Sequence, residues 1–359
     1  MLMESFEAEN FRSLKHLKLE KLARVNLLVG KNNSGKTSVL EALYILTRIE
    51  LADWFEALEY MRGIEETEQD FRSLFYKFDV RNEVRVGASY NGAGRGPSKC
   101  RFQLGFPNEQ TTRQRRKERK PLLVRIWVGT NKPSHTFAMT RNRDDEMEYN
   151  PISDGAETFM EEGLPEKIDS RHSANFLSTT IDLEQLSEQL SELTLNKEGE
   201  SLIKVMRRID NRITAFSLDA KGKIHIDLGE GFAMLSSINL MGEGIQRLLS
   251  IVAAIASTTG GIVIVDEIDN GLHYSALRIL WRGVLEAARE YDVQLFATTH
   301  SAEALRHLTW VLDDEEYASY RDDVAAYTLI RADDDTVRSY RYGYSQLEFA
   351  LEHGVEVRN

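Results

Sequence analysis

The sequence is short of cysteine, of basic excess and of any uninterrupted apolar run, and each shortage removes a class of protein. The single cysteine, Cys100, closes no intrachain disulfide and builds no cysteine-based zinc site. That fits a reducing compartment and leaves Cys100 as a small buried apolar residue. Lys and Arg number 45 against 57 Asp and Glu, a net charge of −12, so the molecule as a whole repels polyanions. Any contact with nucleic acid has to be local or made through a partner. The start, Met1-Leu2-Met3-Glu4-Ser5-Phe6-Glu7, lacks the basic and apolar regions of a secretory signal. The most apolar stretch, Leu248 to Val265, is broken by Ser257-Thr258-Thr259-Gly260-Gly261 and reads as helix, turn and buried strand rather than a membrane span. These exclusions point to a cytoplasmic chain with no membrane segment. What remains is ample for a core, because 42% of the 359 residues are hydrophobic.

Alternation of apolar and polar residues from Ser5 to Phe11 and from Leu14 to Leu19 predicts two strands of a half-exposed sheet. Val25-Asn26-Leu27-Leu28-Val29-Gly30 predicts a buried strand feeding a turn, and Val39, Leu40, Leu43, Tyr44 and Leu46 place a helix from about Lys36. Strand-like runs at 83–90, 101–106 and 122–128 make the middle β-rich. Between two of them lies the densest basic stretch, Arg113 to Lys120, either a solvated hairpin tip or a local contact for nucleic acid or a partner. Leucines from Leu183 to Leu193, with Ile203 and Met206, predict amphipathic helices. No heptad is sustained, so no long coiled-coil arm is expected. From Gly244 onward helix and strand alternate: a helix to Ala256, a strand at Ile262–Val265, a helix at Ser275–Tyr291 and a strand at Gln294–Thr298. That order is the signature of a mostly parallel α/β sheet.

Three segments carry chemistry. Gly30-Lys31-Asn32-Asn33-Ser34-Gly35-Lys36-Thr37 fits G-x-x-x-x-G-K-[ST] between a strand and a helix, the setting a phosphate-binding P-loop requires. Its N–H groups and the helix N-terminus favour phosphate, Lys36 neutralises phosphate oxygens and the Thr37 hydroxyl suits Mg²⁺. Ile262-Val263-Ile264-Val265-Asp266-Glu267 is a buried strand ending in two carboxylates. Asp266 is suited to hold Mg²⁺ through water, and Glu267 to accept a proton from an attacking water. Thr298-Thr299-His300-Ser301 closes a further apolar strand. His300 is either structural or a sensor of the γ-phosphate, and the other two segments favour the sensor.

The order of P-loop, Asp-Glu strand and Thr-His-Ser strand resembles the ATP-binding cassette ATPase superfamily, particularly SMC-like and OLD-like AAA family heads. Phe6-Glu7-Ala8-Glu9-Asn10-Phe11-Arg12-Ser13-Leu14-Lys15 is similar to the opening of such heads, which brings an arginine, here Arg12, near the nucleotide. The resemblance covers roughly 1–50 and 235–359. It implies a single α/β head with a mixed N-terminal β-lobe and a mostly parallel core sheet flanked by helices. Its parts would be a lobe over 1–80 with the P-loop, a β-rich and helical insertion over 81–214, and a lobe over 215–359. It also implies ATP on Gly30, Asn32, Asn33, Ser34, Gly35, Lys36, Thr37 and Ser38, with Mg²⁺ on Thr37 and Asp266.

In the family a signature segment of an opposite subunit caps the γ-phosphate. Its counterpart is Leu240-Met241-Gly242-Glu243-Gly244-Ile245-Gln246-Arg247, in which Met241 replaces the usual serine and Gly242, Glu243, Gly244 and Arg247 are left to meet the nucleotide. Asp269-Asn270-Gly271-Leu272-His273 would communicate across the dimer. For the glutamine loop, Gln69 and Gln103 are the candidates. The implied function is a Mg²⁺-dependent ATPase sandwiching ATP in a homodimer, with Glu267, His300 and Lys36 catalytic, in antiphage defence or DNA metabolism. The tail after His300 shows no carboxylate cluster for two metals, so the effector, a nuclease among the candidates, is expected on a separate chain. The alternative is a scaffold in which ATP binding, without turnover, controls a partner. A GTPase fits worse, because Asn131-Lys132-Pro133-Ser134 lacks the aspartate that reads guanine.

Overall fold

The structure, a computed structural model, describes residues 2–48, 54–64, 70–91, 98–106, 121–128, 135–141, 147–151, 174–208 and 210–358. The chain opens with β1 (Met3–Phe11), β2 (Leu14–Glu20), β3 (Val25–Val29), α1 (Lys36–Arg48) and α2 (Trp54–Met61). Then come β4 (Val84–Tyr90), β5 (Ser98–Gly105), β6 (Leu122–Val128), β7 (His135–Arg141), β8 (Met147–Pro151) and β9 (Ala174–Leu177). They are followed by α3 (Leu183–Leu195), α4 (Gly199–Met206), β10 (Ala215–Leu218), β11 (Ile224–Asp227), β12 (Ser236–Ser237) and α5 (Glu243–Ser257). The last elements are β13 (Ile262–Val265), α6 (Tyr274–Glu290), β14 (Gln294–Thr299), α7 (Ala302–Asp313), β15 (Val324–Arg331), β16 (Val337–Tyr342) and α8 (Tyr344–Glu352). The strands and helices read from periodicity all form, with ends that coincide or move by up to three residues. The basic stretch 113–120, Gln69 and the segment 131–134 lie outside the described residues.

Two compact units divide the chain. The first comprises Met1–Leu22, Asn32–Arg171 and Leu329–Ser339. Its sheet runs β2-β1-β4-β5-β6-β7-β8, antiparallel throughout. Alternation decides the faces: Met3, Phe6, Ala8 and Phe11 of β1 and Leu14, Leu17 and Leu19 of β2 are buried while their neighbours are not. Helix α1 lies against β1, β4 and β5 and buries Ser38 through Leu46. Buried carboxylates come with it. Arg12 donates from Nη2 to Glu59 Oε1 at 2.7 Å and lies 3.4 Å from Glu41, and Arg62 grips both Glu41 oxygens at 2.5 and 2.8 Å. Charges this deep persist because they are paired; unpaired, each would cost several kcal/mol.

The second unit comprises Ala23–Lys31, His172–Thr328 and Tyr340–Asn359. It holds the small sheet β10-β11-β12 and most of a six-stranded sheet ordered β16-β15-β3-β14-β13-β9. Its strands β15, β3, β14, β13 and β9 are parallel neighbours. Every residue of β3, β13 and β14 is buried, as expected of strands covered on both faces, and their runs show no alternation, with Asn26, Gln294, Thr298 and Thr299 the buried polar residues among them. Helices α3, α4, α5, α6 and α7 pack on one another, and Leu248 to Ala256 of α5 join Val263, Val265, Leu295 and Ala297 in one core. The buried Trp281 indole donates to the Ala304 carbonyl at 2.8 Å, fastening α6 to α7. Thus an N-terminal β-lobe is present, antiparallel rather than mixed, together with the mostly parallel, helix-flanked sheet. The 81–214 segment supplies β4 to β8 to one unit and β9, α3 and α4 to the other. Among the described residues no helix is long and apolar enough to cross a membrane.

Candidate functional site

The P-loop starts where buried β3 ends. Gly30 and Lys31 belong to the second unit and the chain continues from Asn32 in the first. Lys31, Asn32, Asn33 and Thr37 are exposed, Lys36 is half-buried, and Ser34, Gly35 and Ser38 are buried. Left-handed backbone at Asn33 (φ 64) and Gly35 (φ 101) curls the loop into the first turn of α1. The Ser34 hydroxyl is buried and makes no hydrogen bond. A glycine-bounded loop with an orphaned hydroxyl, opening a thirteen-residue helix, suits an anion such as phosphate.

Within the first unit the β1–β2 hairpin tip braces this loop. Ser13 Oγ lies 2.9 Å from Ser38 Oγ, and Arg331 donates to the carbonyls of Ser13 and Asn33 at 2.9 and 3.3 Å. Arg331 is a residue that no motif pointed to, since it lies 298 positions from Asn33. Gly35 is required twice over: its φ of 101 is unsuited to side chains, and an added Cβ would sit 2.7 Å from Cδ2 of the fully buried Leu14. Gly35→Ala is therefore expected to destabilise the protein by about 1–3 kcal/mol, read as a lowered urea midpoint. An unchanged midpoint would refute this account of the loop.

At the C-terminal ends of the second unit's parallel strands the chemistry-bearing residues gather. Because β3, β14 and β13 are parallel neighbours in register, Gly30, His300 and the pair Asp266-Glu267 leave the same sheet edge. Thr298 ties the edge together. Its hydroxyl donates to Asp266 Oδ1 at 2.5 Å and accepts the Glu267 N–H at 2.7 Å. Thr299 donates to Asp269 Oδ1 at 2.7 Å. His300 Nδ1 lies 3.7 Å from Glu267 Oε1, and both side chains reach solvent. Arg358 donates to the His300 carbonyl at 3.2 Å. The threonines are the part of Thr-Thr-His-Ser that the motif named without assigning work.

The signature segment opens α5. Gly242 caps it with extended backbone and lies open, together with exposed Glu243. Gly244 approaches the loop after β13 so closely that a Cβ would meet the Gly271 carbonyl at 3.3 Å and Leu272 at 3.4 Å. Arg247 is placed otherwise than the resemblance implied. It is 2% exposed, donating to the Ser178 carbonyl at 2.6 Å and to the Asp266 and Glu267 carbonyls at 2.6 and 3.2 Å. Its guanidinium is thus engaged with carbonyls of its own chain. Burial pushes its pKa below the usual arginine range, opposed by the charges of Asp266, Asp269 and Glu267. Arg12, expected near the nucleotide, has its guanidinium between Glu41 and Glu59. Gln103 sits inside β5 opposite Arg85 and Arg125, a strand position and not a loop.

A family model described as AAA domain, putative AbiEii toxin, Type IV TA system, matches residues 25–306. The chain is 21% identical over 378 residues to an ATP/GTP phosphatase of Helicobacter pylori, with 98% of each chain covered. It is 33% identical over 94 residues to the DNA replication and repair protein RecF of Nitrosococcus oceani, covering 26% of this chain and 25% of that one. Among solved structures it resembles an SMC head domain with an extended coiled coil, bound to the C-terminal domain of ScpA derived from Pyrococcus furiosus. There the TM-score is 0.57 at 10% identity, over 98% of this chain and 99% of that chain, a likeness of fold.

Proposed function

From the premise that this chain belongs to the AAA domain family just described, we propose that it is a Mg²⁺-dependent ATPase that closes as a homodimer around ATP and drives a separate effector. The observation that carries the reading is the arrangement behind β13 and β14: Glu267 lies beside His300 while its neighbour Asp266 is held by Thr298. A carboxylate with an imidazole 3.7 Å away can take a proton from water while the imidazole orients that water or the γ-phosphate. The P-loop N–H groups from Gly30 to Ser38 would cradle the phosphates and Lys36 would neutralise their oxygens. The Thr37 hydroxyl and the Asp266 carboxylate are hard oxygen donors of the kind Mg²⁺ prefers. When bound, the ion draws charge from the β- and γ-phosphates. Gly242, Glu243 and Gly244, at an exposed helix start, would meet the γ-phosphate of a second copy.

Hydrolysis is further supported by the name of the Helicobacter pylori relative, which matches end to end. The toxin–antitoxin wording of the family and the RecF relatives favour defence or DNA metabolism as the setting. The net charge of −12 favours DNA reached locally or through a partner. Sizing the full-length Glu267→Gln variant with Mg²⁺ is expected to show the mass double on adding ATP, because the trapped nucleotide holds two copies together. A mass indifferent to ATP would remove the clamp. Metal-dependent DNA cleavage by the purified chain alone would remove the separate nuclease.

A further inference from the structure

Glu267 has a left-handed backbone, φ 49, which a side-chain-bearing residue keeps only where its surroundings enforce it. Two groups hold it through the main chain. The Thr298 hydroxyl accepts the Glu267 N–H at 2.7 Å, while Arg247 Nη2 donates to the Asp266 and Glu267 carbonyls at 2.6 and 3.2 Å. Arg247 Nη1 is anchored on the carbonyl of Ser178, the residue that follows β9, at 2.6 Å, so the fork cannot swing without breaking that bond. Arg247 also sits in the second turn of α5, whose first turn is the signature segment. The forked guanidinium can meet three carbonyls at once because its five donors lie in one plane.

We propose that Arg247 is a positioning residue for Glu267: it locks the strained peptide that aims the carboxylate at His300, with Thr298 as its counterpart, and so links the signature helix to the base. This rests on the reading of Glu267 as the base. It differs from a phosphate contact across a dimer, because Arg247 is 2% exposed and both of its terminal nitrogens donate to carbonyls of its own chain.

The test measures kcat, KM for ATP, affinity for a fluorescent ATP analogue and melting midpoint on the full chain with Mg²⁺. The variants are Arg247→Met, Arg247→Lys and Thr298→Val. A carboxylate displaced by about 1 Å costs on the order of 100-fold in rate, so Arg247→Met and Thr298→Val are expected to lower kcat about 10- to 100-fold. KM and analogue affinity should stay within about threefold, and lysine should recover part of the rate. In a Glu267→Gln background, Arg247→Met should add less than about threefold, because the group it places is gone. Losses that multiply in the double variant, or wild-type kcat in folded Arg247→Lys and Thr298→Val, overturn the proposal. Those two variants carry the test should Arg247→Met not fold. Wild-type turnover by Glu267→Gln alone would instead overturn the base, which separates the two failures.

Discussion

Glu267→Gln is expected to lower ATP turnover by about 10²- to 10⁴-fold, the range that a positioned general base contributes, while ATP affinity stays within a few-fold of wild type. Glutamine keeps the size of the side chain. The bonds that shape the turn, Glu267 N–H to Thr298 and the Asp266 and Glu267 carbonyls to Arg247, are made by the main chain and survive the change. What disappears is the basic oxygen facing His300 at 3.7 Å. Steady-state phosphate release together with a nucleotide-binding titration checks the result. Turnover above about a tenth of wild type would be too small a loss for a general base and would return Glu267 to a structural part of the turn.

Lys36 is expected to show the opposite partition. Lys36→Ala should weaken nucleotide binding and reduce kcat/KM by about 10²- to 10³-fold, since it removes a cation aimed at phosphate oxygens. Arginine should not restore it, because a planar fork does not replace a compact ammonium at the mouth of a glycine loop. The half-buried position at the start of α1 predicts little change in the fold itself, within about 0.5 kcal/mol without nucleotide. With ATP at a hundred times its dissociation constant, the wild-type chain gains about 2.7 kcal/mol from binding. Lys36→Ala should gain almost none, so paired melting curves with and without ATP read the effect directly. An equal upward shift in both proteins would sink the role given to Lys36. Taken together, the two variants separate holding ATP from breaking it.

Much of this was legible in the residues because the signals are local. Buried runs such as Val25–Val29 and Ile262–Val265 announce strands of a covered sheet, and the alternation in Ser5–Phe11 announces a one-sided one. Gly30 to Thr37 and Asp266-Glu267 stand out because the phosphate and metal chemistry proposed for them calls for those residue types at that spacing. The arginines were not legible. Arg12 and Arg247 sit beside motifs and read naturally as phosphate ligands, yet one is buried between Glu41 and Glu59 and the other among backbone carbonyls.

The sequence by itself determined the alternation of elements, the P-loop and the order of the carboxylate and histidine strands, since each depends on neighbours within about ten positions. Tertiary structure alone decided which donor meets which acceptor: Thr298 on Asp266, Arg247 on the Glu267 turn, Arg331 on the P-loop. A guanidinium satisfies whichever oxygens folding brings within hydrogen-bond reach of it, and nothing in a residue's sequence neighbours records which oxygens those will be.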